Sequence, residues 1–110
     1  MATHYARGVV TERRAKDELE AEGYHVTRAA SSKGSWDLIA IAPAGIRLIS
    51  SKRAQRWDLA QGTLTAERRK LRALLPVVPA NATQEVWLWT DKGPDGKGPG
   101  RWFTKEVIAP

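Results

Sequence analysis

The chain of 110 residues is sized for one domain, able to bury about two-thirds of its unfolded surface in a single core. It has no cysteine and only two histidines, His4 and His25, which excludes disulfides and zinc–thiolate sites, argues against a histidine-based triad, and leaves hard, oxygen-held ions as the metals to expect. The formal charge is +6, no apolar run approaches the ~18 residues of a membrane span, and the start carries no hydrophobic signal segment, so an intracellular (cytoplasmic) domain with a polyanionic partner and no membrane is expected.

Residues 5–22 read as a helix. Gly8, Glu12, Ala15 and Leu19 recur at steps of four, three and four and so share one face, while Arg13, Arg14, Asp17 and Glu20 lie on the other. Gly23 stands in the C-terminal glycine position that ends helices. Glu12 thus falls on the stripe that should face the core, either as a tolerated rim residue or for a function.

Residues 24–28 alternate and are β-rich, so they read as a strand; residues 29–35 are small and polar, a loop. Residues 36–52 form an aliphatic hairpin around Pro43-Ala44-Gly45, with Asp37 near its start and Lys52 at its end. Residues 53–62 read as a basic loop around Trp57. Thr65 is the expected N-cap of a second helix over residues 66–75, stopped by Pro76. A connector over residues 76–83 leads to a strand over residues 85–90. The Gly/Pro-rich residues 91–100 form a mobile hairpin loop, and residues 101–108 make the last strand. The fold expected is a single α/β domain with a mixed central sheet of about five strands flanked by helices.

The basic surplus has one source. Residues 1–46 and 73–110 are each balanced, whereas residues 47–72 carry Arg47, Lys52, Arg53, Arg56, Arg68, Arg69, Lys70 and Arg72 against Asp58 and Glu67. Such a block suits a polyanion, with a solvated arginine-rich helix as the plainer alternative. Arginine outnumbers lysine 11 to 7, a weak sign of a heat-adapted or high-GC source.

Taken together, Gly8-x3-Glu12-Arg13, Gly23-Tyr24, Arg28-x2-Ser31-Ser32-Lys33, Asp37-Leu38-Ile39-Ala40 and Ser50-x-Lys52 occur in an order and at spacings that resemble a known family. The resemblance is to the archaeal-type Holliday junction resolvases of the PD-(D/E)xK nuclease superfamily, with a restriction-endonuclease-like fold. It runs from about Tyr5 to Arg53, with a weaker echo from Arg101 to Val107. It implies a magnesium-dependent (manganese as substitute) homodimeric endonuclease acting on four-way DNA junctions. Carried over by position, Glu12 and Asp37 are metal ligands and Lys52 is the catalytic lysine. Arg13 and Arg28 contact phosphate or organise the site, Arg7 joins them as a DNA-binding candidate, and Ser31, Ser32 and Lys33 form a loop at the junction. Arg53, Arg56, Arg68, Arg69 and Arg72 would face the junction arms.

The chemistry suits these roles. Phosphodiester hydrolysis needs a water made more acidic by a divalent ion and relief of charge on the phosphoryl oxygens. One position departs from the family: Ser50 stands where a glutamate is expected, so a carboxylate is missing from the metal site. Glu18 or Asp58 could replace it, the metal could rest on Glu12 and Asp37 alone, or the chain could bind DNA without cutting it. The tryptophans are expected as core or interface anchors, with Trp57 and the Leu71, Leu74, Leu75 face as candidate dimer surface.

Overall fold

The computed structural model describes residues 4–28 and 35–109, with side chains in the first helix from Gly8 onward. Two helices sandwich a five-stranded sheet whose spatial order follows the chain, β1-β2-β3-β4-β5. Helix α1 (His4–Ala21) leads into β1 (His25–Arg28), β2 (Leu38–Ala42) and β3 (Gly45–Ala54). These three strands pair antiparallel. Helix α2 (Trp57–Leu74) is the crossover that sets β4 (Ala82–Thr90) parallel to β3, and β5 (Arg101–Ile108) returns antiparallel along β4.

Each face of the sheet has its own core. Ala15 and Leu19 of α1 pack on Val26, Leu38, Ala40, Ile49 and Trp87. Ala60, Leu64 and Leu71 of α2 pack on Ala54, Val86, Leu88 and Ile108. Strand alternation divides β3 accordingly: Ile49 faces α1, whereas Ser50, Lys52 and Ala54 face α2. The β2–β3 turn closes on Gly45, at φ +147, where an added Cβ would lie 2.7 Å from the carbonyl oxygen of Asn81. No described helix is long and apolar enough to cross a membrane.

Three expectations from the sequence change. The basic stretch after Lys52 is not a loop: β3 continues to Ala54 and α2 begins at Trp57. Thr65 is therefore interior to α2, its hydroxyl donating to the carbonyl of Gln61 at 2.9 Å, and does not cap the helix. Gly62, a poor helix former, concealed the first half of α2. That half is held by burial of Ala60 and Leu64, and Asp58 in the first turn suits the helix dipole. Of the candidate dimer residues, Leu71 is withdrawn from the surface, while Trp57, Leu74 and Leu75 stay half-buried. Trp57 meets Phe103 edge-on at 4.6 Å, Leu71 is fully buried, and Leu74 packs on the α2 core. The tryptophans do serve as anchors: Trp102 contacts both Trp87 and Trp89 edge-on, and Trp36 donates from Nε1 to Gln84 at 2.9 Å.

Candidate active site

The hairpin brings the two charges at its ends together. The backbone N–H of Asp37 donates to the Ile49 carbonyl at 2.8 Å, which extends the β2–β3 ladder by one residue. The Asp37 carboxylate then reaches across to β3 and accepts the Ser51 backbone N–H on Oδ2 at 2.7 Å. Burial raises the pKa of Asp37 above the usual carboxylate value. The Ser51 N–H and the charge of Lys52 oppose that rise, while the negative charge of Glu12 adds to it. The charges of Lys52 and Glu12 therefore act on the same carboxylate.

Glu12 approaches from α1, its side chain 20% exposed, and accepts Arg28 Nε at 2.7 Å. The sequence-based placement of Glu12 on the inward stripe holds, beside the fully buried Ala15 and Leu19. Arg28, at the end of β1, thus organises the first carboxylate.

Ser50 is fully buried and donates from Oγ to Glu67 Oε2 on α2 at 2.6 Å. Glu67 is itself only 8% exposed, and its Oε1 lies 3.7 Å from Lys52 Nζ and 3.8 Å from Lys70 Nζ. A carboxylate does stand at the Ser50 position, but it is neither of the two expected. Glu18 is occupied by Trp102 Nε1 and Lys105 Nζ, both at 2.6 Å, and the exposed Asp58 pairs with Arg56. Sequence reasoning passed over Glu67 although the signal existed. The buried residues of α2, Ala60, Leu64, Glu67 and Leu71, recur at steps of four, three and four, the pattern that singled out Glu12. With α2 started at residue 66, that stripe could not be seen.

The donor set fits a hard divalent ion. Glu12, Asp37 and Glu67 offer only oxygens, the ligand chemistry such an ion prefers. Among those residues no three carboxylates or histidines already stand gathered around a common point; Glu12 leans to Arg28 and Glu67 to Ser50.

The structure divides the basic candidates into groups. Arg53 makes a two-pronged pair with Asp91, and Arg68 another with Glu106 Oε1 and Oε2, each at 2.6 Å. Arg47 does the same with Glu85 at 2.6 and 2.8 Å and lies over Tyr24. Arg13, Arg56, Arg69 and Arg72 are exposed. The Arg7 side chain and Ser31, Ser32 and Lys33 lie outside what the structure describes.

The family model described as archaeal Holliday junction resolvase matches residues 3–76, which take in α1 through α2 and every residue of this cluster. The chain belongs to the archaeal Holliday junction resolvases. The family's function is resolution of Holliday junctions by a nuclease, and the motifs quoted from the sequence fall inside the matched span. Among solved structures the chain is similar to Archaeoglobus fulgidus Hjc, a Holliday junction resolvase from an archaeal hyperthermophile. The TM-score is 0.50 at 19% identity, over 88% of this chain and 71% of that one. At that identity the likeness speaks for the resolvase fold. No curated relative matches the chain.

Proposed function

We propose that this member of the resolvase family is a working, divalent-metal-dependent endodeoxyribonuclease that cuts four-way DNA junctions, with Mg2+ as its ion and Mn2+ as a substitute. The observation that carries the proposal is the convergence of Asp37, at the head of β2, with Lys52, at the far end of β3, within electrostatic reach of Glu12. Glu12 and Asp37 would hold the ion, which when bound supplies positive charge that acidifies a water and offsets charge on the scissile phosphate. Lys52 adds a fixed positive charge where the phosphoryl oxygens become more negative. Arg28 orients Glu12, and the Ser51 N–H orients Asp37, so neither carboxylate must be ordered when the substrate arrives.

Two strands of a junction must be cut symmetrically and each chain offers one such site, so the acting species is proposed to be a homodimer. Light scattering on the free protein reads the stoichiometry. Affinity should rest on phosphate charge and junction shape, with little reading of bases.

The decisive measurement is cleavage of an end-labelled four-way junction with and without Mg2+. Asp37→Ala should lose at least about a hundredfold in cleavage rate while binding the junction as the native chain does. Cutting that survives this substitution would remove Asp37 from the site. Ser50 favours a second reading, a nuclease fold that binds junctions without cutting. Full binding by the native chain with no Mg2+-dependent product would establish it.

A further inference from the structure

We propose that Glu67, from the crossover helix α2, supplies the third carboxylate of the metal site, taking over the position that Ser50 vacates on β3. This rests on the nuclease reading above and deepens it. Three observations carry it: the placement of Glu67, its burial and its partners.

The placement comes from Ser50. The serine faces α2, two residues before Lys52 on the same strand face, and its hydroxyl donates to Glu67 at 2.6 Å. A serine plus one hydrogen bond projects from a strand about as far as a glutamate side chain. The carboxylate of Glu67 thus lies within the reach that a glutamate at position 50 would have. Lys52 and Lys70 stand 3.7 and 3.8 Å from Glu67, and the charge of each also acts on Asp37, so the strand and helix carboxylates share the same two cations.

Burial makes a purely structural role expensive. A carboxylate 8% exposed at a helix–sheet contact loses solvation worth several kcal/mol unless charge and hydrogen bonds compensate. An apolar pair, or serine with glutamine, would join α2 to β3 without that cost. Yet the compensation is incomplete: the two ammonium groups stand at 3.7 and 3.8 Å, beyond good hydrogen-bond length, leaving Oε1 with electrostatic contacts only. A carboxylate held on one oxygen by a short hydrogen bond and loosely contacted on the other is oriented but still able to take a cation.

The experiment moves the carboxylate between helix and strand. Glu67→Gln keeps the shape and an acceptor for the Ser50 hydroxyl. The double variant Ser50→Glu/Glu67→Gln puts the charge back on β3. Mn2+ affinity of the free protein is read by titration calorimetry, alongside thermal melting, metal-free junction binding and Mg2+-dependent cleavage. Glu67→Gln should melt cooperatively and bind the junction as the native chain does, yet lose at least about tenfold in Mn2+ affinity, the loss that even an outer-shell partner of a metal ligand brings. The double variant should recover most of that affinity and of the cleavage rate. Unchanged Mn2+ affinity in Glu67→Gln, when the native chain binds the ion, would overturn this assignment and leave the nuclease reading intact. A native chain that takes up no divalent ion would overturn both.

Discussion

At the scale of single residues, the chain spends its buried charge in two ways. At Asp37 burial outweighs the Ser51 N–H and the charge of Lys52, and the carboxyl is held above its ordinary value. At Glu85 the neutralisation is complete. Burial works to raise the pKa of Glu85, but the hydrogen bonds from Arg47 and Trp87 outweigh it and hold the group below its ordinary value of 4.5. A depressed carboxylate pKa adds stability that is fully present above that ordinary value and is lost as the pH falls through the folded-state value. Arg47→Ala strips the partner from a side chain only 5% exposed and should destabilise the fold by about 3–5 kcal/mol at neutral pH. Without Arg47 the burial of Glu85 is opposed less, so Glu85 would titrate higher than in the native chain and the deficit should shrink as the pH falls through the carboxylate range. Urea unfolding of both proteins from pH 7 to pH 3 reads this directly; a constant gap would remove Glu85 as the cause.

At the scale of elements, α2 is the part the sequence hid. Its true start lies at Trp57, and Gly62 sits inside it with nothing within 4 Å of an added Cβ. Gly62→Ala should therefore raise stability by about 0.5–1 kcal/mol, visible as a higher melting temperature. A lowered melting temperature would mean that this turn needs glycine for a reason the structure does not display. The rest of α2 was legible through Leu71, Leu74 and the Pro76 stop, and α1 through the Glu12–Ala15–Leu19 stripe. Both have one inward face, which periodicity reports. The first half of α2 buries small Ala60 and Leu64 between polar residues, a faint pattern next to the strong loop signal of Gly62.

At the scale of the whole molecule, folding redistributes the charge. The surplus lies between residues 47 and 72 in sequence, yet Arg47, Arg53 and Arg68 are matched with Glu85, Asp91 and Glu106 of the C-terminal third. The Arg68 hydrogen bonds hold Glu106 below the ordinary carboxylate range and tie α2 to β5. Arg69 and Arg72 remain exposed on α2, the helix that carries Glu67. The double variant Arg69→Ala/Arg72→Ala should weaken junction binding and make its dependence on log salt shallower by about two units, if both contact phosphate. Fluorescence anisotropy across a salt series measures the slope, and an unchanged slope would move the DNA surface elsewhere.

From the sequence by itself one could read the class of fold, through strand and helix periodicity, and the family, through a resemblance of motifs that also nominated Glu12, Asp37 and Lys52 as candidates. Only the tertiary structure decided what faces Ser50. Glu67 comes from a separate helix, 17 positions on, and reaches the strand by way of the crossover that lays α2 over the sheet. A hydrogen bond across that distance leaves no local pattern in the chain; it exists because the two elements pack.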